Sequence, residues 1–336
     1  MNTTVNAPED LSLTTLAKRF VNQLTQCRRL NIQVHEASEH HVLMELPYSE
    51  QHIGYPETGV IHGGVITTLM DTACASATIC AIKQKYDSLE ISPTLDLRVD
   101  YMKSAKPNHA VFVLAECYRL SSSIVFTRAI TYQDSIDEPI AHAVGAFMRI
   151  SPEMVGEEFR LALLGEGDGP KFTKLNQEAE LDPSSVEVKV NQPLDVQKIV
   201  KKASETNDFS HLLEHVPYAK FIGMSVERFG YELVSRLPAN DYNIGNPVVP
   251  AIHGGVIAGF MEMSAIVQLM VFMHTENVPK IVDFSIDYLR AGYHKDTFCE
   301  CEITRQGRRI ANVHISCWQS SRKQLIATAR AHFLVE

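Results

Sequence analysis

This 336-residue chain carries its most constraining feature twice. His62-Gly63-Gly64-Val65-Ile66 returns as His253-Gly254-Gly255-Val256-Ile257, and the acid that follows, Asp71 in the first copy and Glu262 in the second, holds the same place. Histidines and acids are both separated by 191 residues. The approach repeats at that offset too, Ile53-Gly54-Tyr55-Pro56 becoming Ile244-Gly245-Asn246-Pro247. Further on, Asp100-Tyr101 corresponds to Asp287-Tyr288 at an offset of 187, so four residues have been lost after the second Gly-Gly segment. A chain of this kind must fold as two copies of one unit, and its length fits two domains of roughly 100–200 residues each.

The segment after each Gly-Gly reads as a long helix buried nearly all round, since Val65, Ile66, Leu69, Met70, Ala73, Cys74, Ala77 and Ala81 leave no polar face. Asp71 is the lone formal charge between Gly63 and Ile82, as Glu262 is between Gly254 and Met273. Burying an ionised carboxylate costs enough that such a group shifts its pKa or finds partners, so a lone acid at one depth of two apolar helices is a functional candidate. Satisfaction by backbone donors is the plainer reading of Asp71, and the repeat at Glu262 weakens it. A helix that starts at Gly-Gly offers unpaired N–H groups and the positive end of its dipole, with no side chain to keep a ligand oxygen away. Such an end can polarise a carbonyl, although the glycines Gly63, Gly64, Gly254 and Gly255 could also serve close packing alone.

Around each helix the pattern is an amphipathic helix, two short strands, the buried helix, then four strands. In the first copy these are a helix over 11–28, strands over 31–35 and 42–46, and strands over 94–102, 110–119, 123–133 and 138–149. In the second they are a helix near 195–214, strands near 219–227 and 231–237, and strands from residue 280 onward. Strands in succession after one helix predict an antiparallel sheet wrapped around it, an α+β layering. Residues 151–193, rich in Glu, Gly, Asp and Pro, read as a linker with a short helix at 157–164. The expected division is therefore 1–150, linker 151–193, and 194–336.

Hydrophobic residues make up 45% of the chain and charged ones 21%, as in an ordinary globular protein; the net charge of −9 without a dense basic patch argues against nucleic acid. No signal peptide or membrane-spanning run is expected, and the location is read as cytoplasmic. The seven cysteines read as reduced, buried thiols. Cys299 and Cys301 share a strand face but lack a second pair, so no metal is expected.

These residues resemble the hotdog fold, and within it the phenylacetyl-CoA thioesterase-like branch of acyl-CoA thioesterases: an Asn upstream, His-Gly-Gly, an acid nine residues after the His, then an alternating strand ending in Tyr. The resemblance covers about 31–150 and 219–335. It implies two tandem hotdog domains packed as a pseudo-dimer, with active sites between the halves. One half would supply the acid, the other the Asn and the Gly-Gly helix end that bind the thioester carbonyl. No cofactor is implied beyond coenzyme A as part of the substrate, an acyl-CoA thioester. Pairing of such double units into a homo-oligomer is common for the fold, and nothing in this sequence specifies it.

On that scheme one site collects Asp71, Thr94, Asn246, His253 and Gly254 and is complete, with Thr94 supplying a hydroxyl at the start of its strand. The opposite site collects Glu262, Tyr55, His62 and Gly63, with Ile281 in place of the hydroxyl, and is expected to be impaired or kept for binding. Asp71 would act as general base on a water held by Thr94 or attack the thioester directly, its pKa held down by the facing amides and helix dipole. His62 and His253 read as fixing the helix start through ring hydrogen bonds more than as acid/base groups. Asn246 also fits a turn residue before Pro247. Gly64 and Gly255 are candidates for substrate contact, as are Arg308 and Arg309, whose turn is equally read as a solvated hairpin. The rival from another class is a protein that binds or senses acyl-CoA without turnover.

Overall fold

The computed structural model describes residues 11–170, 195–230, 232–273, 275 and 277–335. The first half opens with helix α1 (Leu13–Gln23), whose start is capped by the Ser12 hydroxyl, and a short α2 (Thr25–Arg29); the chain turns extended at Leu24, so the single helix expected over 11–28 is broken there. Strands β1 (Gln33–Ala37) and β2 (Val42–Leu46) follow, then a small hairpin, β3 (Ile53–Tyr55) and β4 (Val60–Ile61), which delivers the chain to α3 (Gly63–Tyr86). Strands β5 (Thr94–Tyr101), β6 (Val111–Leu120), β7 (Ile124–Tyr132) and β8 (Ala141–Met148) complete the unit. Helix α4 forms at Glu157–Leu164, the span expected, and lays Phe159 and Leu163 into the core. The rest of the linker, 171–193, and residues 1–10 lie outside the described residues.

The second half repeats the order with α5 (Val196–Thr206), α6 (Ser210–Glu214), α7 (Pro217–Ile222), β9 (Ser225–Phe229), β10 (Glu232–Leu237), the hairpin β11 (Ile244–Asn246) and β12 (Ala251–Ile252), and α8 (Gly254–Met273). Strands β13 (Lys280–Tyr288), β14 (Thr297–Gln306), β15 (Ile310–Trp318) and β16 (Leu325–Leu334) end it. Two expectations fail here, the single helix near 195–214, which breaks at Asn207 (φ 54°), and the strand near 219–227. Pro217 opens a helix at its first turn, where a missing N–H costs nothing, and Gly223 closes it at φ +80°, leaving the strand to start at Ser225. The four-residue loss has a visible place: α3 has 24 residues and α8 has 20.

Twelve of the described strands form one antiparallel sheet, ordered β1-β2-β6-β7-β8-β5-β13-β16-β15-β14-β10-β9. The halves join at β5 and β13, with Val99 opposite Phe284 and Leu97 opposite Ile286. This is the α+β double hotdog, its two helices side by side on one face of a continuous sheet.

By length and composition α3 and α8 could each cross a membrane, with mean hydropathies of 1.6 and 1.9, which corrects the expectation that no run comes close. Their windows are 94% and 83% buried inside the fold, so they are core helices. Helix α3 tolerates hydroxyls in that core because four return their proton to a carbonyl one turn back, Thr68 to Gly64 at 2.8 Å, Thr72 to Thr68 at 2.8 Å, Ser76 to Thr72 at 2.9 Å and Thr78 to Cys74 at 3.0 Å, and Thr67 bonds to the Tyr101 hydroxyl at 2.7 Å. The glycines have a packing duty where the helices cross. A methyl group on Gly64 would lie 2.3 Å from the Gly259 Cα, and one on Gly255 would lie 2.4 Å from the Thr68 Cα.

Candidate active site

Each buried helix begins under its own histidine. His62 is extended (φ −63°, ψ 140°) and its Nδ1 accepts the Gly64 N–H at 2.9 Å; His253 Nδ1 accepts the Gly255 N–H at 3.0 Å. An imidazole nitrogen that accepts carries no proton, so these rings cap the helices in the neutral form. Burial reinforces this, pushing the His62 imidazole down to about 3 and lowering that of His253, the latter against the pull of Asp71. Tyrosines at the ends of the central strands pin the same turns: Tyr101 donates to the Gly63 carbonyl at 3.0 Å, and Tyr288 to that of Gly254 at 2.7 Å.

The crossing of α3 and α8 brings Asp71 of the first half to the helix start of the second. Asp71 is 4% exposed. Its Oδ1 accepts from the Thr94 hydroxyl at 2.7 Å, and its Oδ2 lies 3.6 Å from His253 Nδ1 and 3.1 Å from where a Gly254 Cβ would stand. Asp71, Thr94, His253, Gly254 and Gly255 are thus one cluster built from both halves. The carboxyl pKa is raised by burial, while His253, Thr94 and Gly255 each lower it. This corrects the expectation that the facing amides and dipole would hold it down: desolvation by two packed helices outweighs them.

The mirror cluster differs. Glu262, 1% exposed, reaches Gly63 so closely that a Cβ there would meet its two carboxyl oxygens at 2.5 and 2.9 Å. His62 Nδ1 is 3.7 Å away, but neither carboxyl oxygen has a hydrogen-bond partner among the described residues. Ile281 at the Thr94 position offers none. Burial lifts the Glu262 pKa well above the ordinary carboxyl value and favours its neutral form, whereas the Thr94 hydroxyl favours the charge of Asp71. Tyr55 donates to the Pro279 carbonyl at 3.2 Å, and the proximity of Glu262 raises its own pKa further beyond the effect of burial.

The structure does not join every expected residue to a cluster. Asn246 turns its carboxamide oxygen into the loop, accepting from the N–H groups of Val248 at 2.9 Å and Val249 at 3.2 Å, the turn role that sequence also allowed. No hydrogen bond links Asn246 to Asp71 or Gly254 among the described residues. Arg308 and Arg309 are exposed in the β14–β15 hairpin. Ile310 pairs with Leu334 and Leu334 with Lys280, so the hairpin lies at the Ile281 end of the sheet, away from Thr94. Sequence reasoning missed two residues beside His253, Thr72 and Cys27. Neither repeats, because Met263 and Tyr218 stand 191 residues on.

Comparison with known proteins identifies the family and supports the fold. A sequence model described as the thioesterase superfamily matches twice, over residues 58–140 and 250–326. A Halobacterium salinarum protein named as a putative esterase is 30% identical over 120 residues, 34% of this chain and 77% of that protein. The chain belongs to the thioesterase superfamily. A Pseudomonas aeruginosa protein of known structure is 49% identical over 41% of this chain and 100% of its own, with a TM-score of 0.38. A hot dog fold protein from Alicyclobacillus acidocaldarius, 12% identical, covers 94% of this chain and 97% of its own at a TM-score of 0.53, which supports the tandem fold.

Proposed function

We propose that this thioesterase-superfamily chain hydrolyses acyl-CoA thioesters at the Asp71 cluster, and that the Glu262 cluster does not turn over. The observation that carries the reading is the hydrogen-bonded Asp71–Thr94 pair of one half facing the amide end of α8 from the other. A water whose hydrogen bonds to Thr94 and Asp71 hold it in place attacks the thioester carbon, and Asp71 Oδ2 takes its proton. Thr94 has already donated its own proton to Asp71, so its lone pairs accept from this water. The carbonyl oxygen, now anionic, sits at the start of α8, where the Gly254 N–H and the dipole stabilise it. Collapse breaks the C–S bond, and the proton held by Asp71 passes to the leaving thiolate, giving free acid and coenzyme A. Direct attack by the Asp71 carboxylate, through an anhydride that water then cleaves, uses the same groups. In either route Asn246 would serve through its carboxamide N–H, since its oxygen is committed to the turn.

Glu262 in a protonated state is a poor base, and its longer side chain fills the space against Gly63 that a carbonyl would need. Thiol release measured over aromatic, short and long acyl-CoAs tests the proposal. Equimolar coenzyme A and free acid from at least one class is expected. Binding of these thioesters with no release from any would instead establish the sensor reading.

A further inference from the structure

We propose that Thr72 is a positioning residue that locks His253 in the tautomer carrying its proton on Nε2, and so keeps the ring from donating to Asp71. The inference rests on the reading of Asp71 as the base, and three contacts carry it. The Thr72 hydroxyl gives its only proton to the Thr68 carbonyl at 2.8 Å. Toward its other neighbours it can therefore only accept, and His253 Nε2 lies 3.1 Å away. On the opposite side of the ring, Nδ1 already accepts the Gly255 N–H at 3.0 Å. Both ends of the imidazole thus demand one tautomer. The Cys27 thiol, 3.4 Å from the same hydroxyl and 3.7 Å from Nε2, completes the pocket behind the ring.

The chemical consequence follows from the 3.6 Å between His253 Nδ1 and Asp71 Oδ2. In the other tautomer the proton on Nδ1 would meet the Gly255 N–H head-on, and the ring, turned away from it, would have Asp71 Oδ2 as its neighbouring acceptor and would withdraw the electron pair that must take a proton from water. It would also evict the Gly255 N–H from its cap, loosening the turn at which the oxyanion forms. A proton on Nε2 avoids both.

The mirror cluster around Glu262 shows what the absence of this device looks like. Met263 stands where Thr72 does, His62 Nε2 is buried with no hydrogen-bond partner among the described residues, and the His62 ring stacks on Tyr218 at 4.4 Å between centroids. That site has lost the group that fixes its histidine as well as the hydroxyl that orients its acid.

Side-chain 15N NMR of the full chain reads the tautomer directly, with His253 assigned by the signals lost in His253→Gln. The wild type is expected to show Nε2–H at neutral pH. Thr72→Ser should retain it and keep kcat within about twofold. Thr72→Val should convert the ring to Nδ1–H, with the Cys27 thiol donating to Nε2, and lower kcat about tenfold, the scale on which partners that orient a catalytic group act. A wild-type Nδ1–H ring, an unchanged tautomer in Thr72→Val, or a Thr72→Ser variant as impaired as Thr72→Val would overturn the assignment. If the tautomers behave as expected but no thioester is cleaved, the hydrolase reading fails and the role of Thr72 in setting the ring stands.

Discussion

Replacing Gly255 by alanine places a methyl carbon 2.4 Å from the Thr68 Cα and 2.8 Å from its Cβ, whereas ordinary contact begins near 3.4 Å. The obstacle is the backbone of the facing helix, which cannot rotate aside, so α3 and α8 must part by about 1 Å. Helix propensity alone would favour alanine by about 1 kcal/mol. Overpacking of a tight interior costs about 1–3 kcal/mol and more when no side chain can yield. The net expectation is a loss of about 2 kcal/mol in urea unfolding, and Gly64→Ala should match it, since its methyl would lie 2.3 Å from the Gly259 Cα. Gly63→Ala is the control. There the nearest atoms are the oxygens at the end of the Glu262 side chain, which can swing away, so stability should change by less than about 0.5 kcal/mol. Parting the helices also widens the gap between Asp71 and Gly254, and a displacement of about 1 Å can cost ~10²-fold in rate. A Gly255→Ala protein as stable and as active as the wild type would show that the helices do not cross as described.

Three other outcomes follow from the same geometry. Because burial raises the Glu262 pKa, the unfolded chain ionises first: the wild type is at its best relative to Glu262→Gln below the unfolded value of about 4.3 and loses ground as pH rises toward the folded value, by up to ~1.4 kcal/mol per pH unit. Urea curves at pH 5, 6 and 7 that stay parallel for the two proteins would exclude a buried neutral acid. Thr94→Val removes a hydrogen bond to a charged oxygen and should cost ~10-fold or more in kcat, with Thr94→Ser largely restoring it. The acidic limb of kcat should lie above the ordinary Asp value of 3.8 and move further up in Thr94→Val, because that hydroxyl lowers the Asp71 pKa; a pH profile showing a downward movement would contradict the assignment.

The duplication made most of the architecture readable, because it fixed the order of elements before any single strand was assigned. The helix at 217–222 escaped because Tyr218, Ala219, Phe221 and Ile222 are apolar and fit a strand as well; only Pro217 and Gly223 mark its ends. Asp71 and the Gly-Gly helix starts were visible through spacing, since two helices must cross closely where glycines repeat, while Thr94 was indicated only by the family resemblance. The direction of the Asp71 shift was not, because desolvation depends on how tightly α8 covers it. Nor was the turn role of Asn246, which is decided by local N–H groups at Val248 and Val249. Thr72 gave no signal at all, since its duty exists in one half only and a threonine inside a buried helix has an ordinary explanation in the bond to Thr68.

Turnover of Asp71→Asn and Glu262→Gln on the best acyl-CoA, side by side, bears most directly on a single working site assembled from both halves. Loss of ~10²–10⁴-fold in kcat for Asp71→Asn, with Glu262→Gln within about threefold of the wild type, is the predicted result. Equal losses, or a larger loss at Glu262, would contradict it.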